Sequence, residues 1–285
     1  MKLRLLFTFC LWIAFAGSLS ATETPTLIDQ TFDRMYRHNF DGAQAVIKEH
    51  IDLHPKDPLG YSVRSAVFLF RELDRLQILE AEFFGDDKRI MEKKEAKPDP
   101  AIRDGVFDSI AKARDLTTGI LAKDPNNVNA LLAMCIATGI QTDYMALIEK
   151  RQLGSLSVAK ESHNWALRLL KIDSHFYDAY LTTGVSEYLL GSLPFFVKWF
   201  VKFDEAKGSK QQAQKNLELV AKQGRYFRPF AKVLLAMIHL REKRPRAAEI
   251  QLAELNREFP ENPLFRKELQ KLRNKESLVP GRGDE

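Results

Sequence analysis

An alanine stands twelve residues ahead of a proline at three places in the chain: Ala43 and Pro55, Ala113 and Pro125, Ala248 and Pro260. Four and seven residues after each alanine come Ile47 and His50, Thr117 and Ile120, Leu252 and Leu255. Such steps share one face of an α-helix. Each phrase therefore reads as a helix with a small residue at its close-packed point. The proline falls where the hydrogen-bond ladder stops. The same frame fits Ser162, Ala166, Leu169 and Ser174, and in weaker form Ala213, Leu217, Val220 and Arg225. After each proline phrase (DLHPKDPLGY at 52–61, AKDPNNVNAL at 122–131, REFPENPLFR at 257–266) an aromatic or large apolar residue opens another helix. A unit repeated in this way cannot bury its apolar face alone and has to stack on its neighbours.

The pattern resembles the tetratricopeptide repeat (TPR), a helix–turn–helix unit of about 34 residues. Residues 229–262 carry Ala231, Leu235, Ala236, His239, Ala248, Leu252 and Pro260 at the signature positions, with Lys232 where the motif prefers tryptophan. A second helix start, at Tyr177 to Gly184, places an aromatic at Tyr180 and the glycine four residues on. The resemblance covers roughly residues 28–272. It implies an all-α fold: a right-handed superhelical solenoid of five or six TPR-like helix pairs with helical insertions on one edge and a C-terminal capping helix near 263–273. The domain plan is a signal peptide at 1–21, a polar linker at 22–27, the repeat domain at 28–273 and a flexible tail at 274–285.

Distances between the phase anchors 55, 125, 174, 225 and 260 exceed the bare repeat everywhere except the last. The surplus falls between the first and second helix of a pair. It includes Glu80 to Pro100, with the mixed charge run at 86–97, then Gln141 to Leu156, then Gly191 to Gly208. The first surplus is large enough to hold a degenerate repeat. The third contains Phe195, Phe196, Trp199, Phe200 and Phe203, behind Pro194. Four of these share a helical face, with Lys198 and Lys202 on another. That segment reads either as a lid or membrane contact, or as a core helix packed down on the solenoid.

In TPR arrays the first helix of each pair lines the concave surface. Carried onto this sequence, that resemblance makes Leu132, Ile136, Leu181, Val185, Tyr188, Val233, Met237 and Leu240 the candidate binding groove. The groove is mainly aliphatic, so something must cover it: the chain's own insertions or an apolar partner.

No catalytic, cofactor or metal constellation is legible. His50 and His54 lie four apart, but zinc needs three or four ligands and no third stands nearby. Neither a nucleophile turn nor a phosphate-cradling glycine loop is present. Cys135 sits in the apolar run LLAMCIATG, where a thiol is inert. The tripeptide Arg282-Gly283-Asp284 lies in a frayed-looking tail and is assigned no function.

The first residues carry Lys2 and Arg4, an uncharged run from Leu5 to Gly17, and small residues around Ser20 and Ala21. That order describes a secretory signal peptide. The run is too short for the roughly 20 residues of a spanning helix. Loss of Lys2 and Arg4 lowers the formal charge from +5 to +3, too little for nucleic-acid binding. The expected product is an exported protein, periplasmic or extracellular, without enzymatic activity, that holds another protein. The rival expectation is a carrier of an apolar small molecule or lipid, built from the aliphatic groove and the segment 194–203.

Overall fold

Every proline phrase does two jobs in the computed structural model, which describes residues 24–79, 97–192 and 208–277. The proline closes one helix, and two residues later an Asp or Asn caps the next. Asp57 Oδ1 accepts from the Leu59 N–H at 3.0 Å, Asn127 Oδ1 from Ala130 at 3.0 Å, and Asn262 Oδ1 from Leu264 at 2.9 Å. Each bond satisfies a donor that the first helical turn would otherwise leave unpaired.

The resulting helices are α1 (Leu27–Tyr36), α2 (Phe40–Leu53), α3 (Pro58–Arg75), α4 (Pro100–Leu121), α5 (Val128–Asp143), α6 (Gln152–Ile172), α7 (Ala179–Ser192), α8 (Lys210–Gln223), α9 (Arg228–Arg241), α10 (Pro245–Glu258) and α11 (Pro263–Ser277). They pack as five consecutive pairs, α1 with α2 through α9 with α10. The last helix, α11, closes the stack by burying Phe265, Leu269 and Leu272 against α10. There is no strand among the described residues.

The repeat frame lands on the second helix of every pair. Ala43, Ala113, Ala213 and Ala248 are fully buried, as are Ile47, Ala166, Leu169, Leu217, Val220 and Leu255. Ser162 takes the small-residue position in α6, and its hydroxyl donates to the Cys135 carbonyl at 3.0 Å. Five residues ahead of the small residue, three pairs turn through a left-handed residue: His38 (φ 62°), Gly208 (φ 69°) and Lys243 (φ 57°). At His38 and Lys243 the following N–H reaches back five residues, to Arg34 and His239, the helix-ending loop that favours such a φ. Close approach shows at Gly184, where a Cβ would stand 3.1 Å from Leu217 Cγ on the paired helix.

One expectation changes. Part of the surplus between α2 and α5 lengthens the helices, with α3 running to Arg75 and α4 starting thirteen residues ahead of Ala113, and the rest, at 80–96, lies outside the described residues. The surplus at 141–156 forms no separate hairpin. α5 runs on through a π-helical turn, Tyr144–Ile148, and α6 simply begins early at Gln152. The stretch Val128–Ile148 is long and apolar enough by length and composition to cross a membrane, but two thirds of it is buried. It is hydrophobic all round because α3, α4, α6 and α7 pack about it. The expected signal peptide at 1–21, the part of the expected tail beyond 277 and the aromatic segment with Phe195, Phe196, Trp199, Phe200 and Phe203 lie outside the described residues.

Candidate functional site

The predicted groove does not form one continuous lining. Leu132 and Ile136 on α5 belong to the main core, at 3% and 6% exposure. Leu181 is buried in a small cluster with Leu217, Val220 and Leu235. Val233 is buried with Ala248, Leu252 and Phe259 at the C-terminal end. These four are core residues. The other four, Val185 and Tyr188 on α7 and Met237 and Leu240 on α9, are half-buried. Each pair is three apart, so on each helix the two share a face. Lys210 Nζ lies 5.8 Å from the centre of the Tyr188 ring.

Part of the cover over the C-terminal repeats comes from helix α1. Helix α1 sits against the turn at 224–228 and the turn at 259–262, each about 200 residues away in sequence. Arg225 donates through Nε and an Nη to both oxygens of Asp29, at 2.9 and 2.8 Å. Phe32 stacks on Tyr226 with ring centres 5.3 Å apart and meets Phe227 edge-on at 5.5 Å. The Tyr36 hydroxyl donates to the Tyr226 carbonyl at 2.9 Å, while Asn262 Nδ2 donates to the Tyr36 carbonyl at 2.9 Å. Arg37 bonds Glu261 at 2.9 Å. One helix further in, Phe70 on α3 meets Phe230 on α9 edge-on at 5.7 Å. The first and fifth pairs therefore close on each other.

The Arg225 guanidinium holds the Asp29 carboxyl down at about 2, helped by the capping bonds from Thr26. The receiving turn has its own support. Phe227, the residue ahead of α9, makes no side-chain cap. The turn ahead of it is braced instead by Asp178 near the start of α7, whose carboxylate accepts the N–H groups of Arg225, Tyr226 and Phe227 at 3.0, 3.1 and 2.8 Å. Burial pushes the Asp178 carboxyl above its ordinary value against the pull of those three donors.

Two further carboxylates anchor the helices that follow the long connections. Glu72 on α3, fully buried, accepts the Asp99 N–H at the start of α4 at 2.8 Å. Glu187 on α7 accepts the Ser209 N–H at the start of α8 at 2.7 Å. Sequence reading missed Glu72, Glu187 and Asp178. The available signal was an acidic residue inside an otherwise apolar helix face, or next to a helix start.

Two clefts stand out among the described residues. One, of about 170 Å³, opens along the α1 contact and is lined by Phe32 and Tyr36 on one side and by Tyr226, Arg228, Glu258 and Phe259 on the other. The second, of about 270 Å³, lies between Glu218, Lys222, Lys232 and Glu254. Both carry charged walls, unlike the mainly apolar chambers that take hydrophobic ligands. His50, half of the histidine pair, bonds through Nε2 to Asp57 Oδ2 at 2.8 Å and ties the end of α2 to the cap of α3. No group of three or more metal-ligating side chains occurs among the described residues. Burial pushes the Cys135 thiol up, away from the reactive thiolate.

No protein-family model matches the chain, and no curated protein matches it in sequence. Among solved structures, it matches a thermophilic TPR protein of Thermus thermophilus. The two are 12% identical, with 87% of this chain and 97% of that one covered and a TM-score of 0.48. The helix pairing, the caps and the frame of buried small residues make the chain TPR-like on its own contacts.

Proposed function

We propose that this chain is a non-enzymatic exported scaffold that holds another protein. The observation that carries the reading is a pair of half-buried apolar faces, Val185 with Tyr188 on α7 and Met237 with Leu240 on α9, left on the first helices of the fourth and fifth pairs while the other groove positions sink into core. A rigid array that ends in a partly open apolar surface is suited to a partner's apolar side chains, with the surrounding charges setting its orientation. Export rests on the leader-like order of residues 1–21. The carrier alternative draws no support from the two clefts, whose walls are charged.

The test is capture of partner proteins from the secreting host by immobilised chain beginning at residue 22. Tyr188→Glu and Met237→Glu, both at half-buried positions, should lose a specifically captured protein while the helical circular dichroism is unchanged. Val233 is unsuited to such a test because a charge there would enter the core. Identical capture by wild type and both variants would remove these two faces from the reading.

A further inference from the structure

The contact made by α1 is built like a complex between a receptor and a helical ligand. The seat is organised without α1: Asp178 holds the 225–227 turn through three backbone bonds, and Arg228 is ion-paired with Glu258 behind it. Onto that seat α1 brings a short pattern on one face: a carboxylate at Asp29, an aromatic ring three residues on at Phe32, and a phenol four further at Tyr36. Each finds a matching group, namely the Arg225 guanidinium, the Tyr226 and Phe227 rings, and the Tyr226 carbonyl. The rim is polar and partly exposed. Arg225 is 51% exposed and Glu261 56%, and a cleft of about 170 Å³ separates parts of the two surfaces. Inside that rim the contact closes over Phe32, 5% exposed, on a helix that is also packed on α2 through the main core.

We propose that α1 is the resident ligand of a helix-binding seat on the fifth pair. The partner held by the scaffold presents an amphipathic helix of the same chemistry, with a carboxylate, an aromatic ring three residues later and a phenol four after that, and takes the seat in place of α1. This deepens the scaffold reading and rests on it. The resident helix competes at the effective concentration of a tethered segment, on the order of millimolar. Only a helix that matches the Arg225 and Tyr226 contacts displaces it, and this is the source of selectivity.

The probe is a fluorescein-labelled peptide of residues 24–38, read by anisotropy against the full chain from residue 22. Asp29→Arg in the chain sets its own α1 against Arg225 and opens the seat. It should bind the peptide at least about tenfold tighter than wild type does. A peptide carrying Asp29→Arg should fail to bind that chain. Adding Arg225→Asp to the Asp29→Arg chain restores the internal pair with reversed sign, and peptide binding should return to the wild-type level. If Asp29→Arg reduces folding, Asp29→Ala is the milder release and should still tighten binding several-fold. Equal affinity for all chains, or no binding to either released chain, overturns the proposal. The assay needs no partner protein, so its failure leaves the capture test standing. Conversely, tight exchange of the peptide with no captured protein would count against the scaffold and not against the seat.

Discussion

Glu72 gives the sharpest test of how the long connections are held. Its side chain has no exposure, yet both oxygens are occupied: Oε2 by Arg75 Nε at 2.7 Å, Oε1 by an Arg75 Nη and by the Asp99 N–H, both at 2.8 Å. Arg75 also donates to the Lys97 carbonyl at 2.9 Å, so the pair pins both the end of α3 and the entry to α4. Removing one partner of a buried pair costs about 3–5 kcal/mol when the survivor stays buried and uncompensated. The two partners differ on this point, since Arg75 is 43% exposed and Glu72 is not exposed at all. Glu72→Ala leaves an arginine that can turn to water, and an orphaned N–H at Asp99, so the expected loss is about 2–3 kcal/mol. Arg75→Ala leaves the carboxylate buried with one donor and should cost more, about 3–4 kcal/mol. Urea unfolding followed by circular dichroism measures both, and hydrogen exchange at residues 99–103 should accelerate in each variant. A loss below about 1 kcal/mol for Glu72→Ala, or an arginine variant milder than the glutamate one, would refute the reasoning.

Thr117 occupies the frame position held by Ile47, Ala166, Leu217 and Leu252 in the other pairs, and its hydroxyl is buried with no hydrogen-bond partner. Thr117→Val keeps the shape and removes the unsatisfied group. It should stabilise by about 1 kcal/mol in urea, and a destabilisation would show that the hydroxyl is used. Asp29 is held at about 2, below its unfolded value of 3.8, so its pair with Arg225 stabilises fully above that value and is lost as pH falls toward 2. Given the exposure of Arg225, the effect is about 1 kcal/mol, and Asp29→Asn should flatten the fall in stability between pH 5 and pH 2 by about that amount.

What was legible in the sequence was whatever repeats. The spacing from Ala43 to Pro55 recurs because every pair meets its neighbour in the same way, and the small and apolar residues of that frame are the ones the structure buries. The caps at Asp57, Asn127 and Asn262, which the sequence reading passed over, recur two residues after their prolines for the same reason. The groove was only half legible. A first helix shows one face to its own partner and another to the bore, and periodicity does not say how far the bore is filled. Ile136 and Met237 occupy comparable repeat positions, yet the first is core and the second half-buried, because α5 is packed by four helices and α9 stands near the end of the array. The insertion expected at 141–156 proved to be a longer α5 and an early start of α6, because a surplus in spacing looks the same whether it extends a helix or adds one.

In a solenoid most contacts join neighbouring repeats, so a sequence period carries most of the fold. The contact of α1 with the fifth pair is of the other kind. It joins Asp29 to Arg225 and Tyr36 to Tyr226, and nothing in the repeat demands those residues. The period also breaks at that place: the 225 anchor lacks the proline, and position 227 is a phenylalanine where three other turns carry Asp or Asn. With the local cap gone, the turn depends on Asp178 from the pair before, so Arg225, Tyr226 and Phe227 turn their side chains to α1 while their backbone is held from behind. A repeat that departs from its own pattern, and is then stabilised in the departure by a buried carboxylate from its neighbour, has traded stacking regularity for a surface that receives something. In this chain the resident occupant of that surface is the first helix.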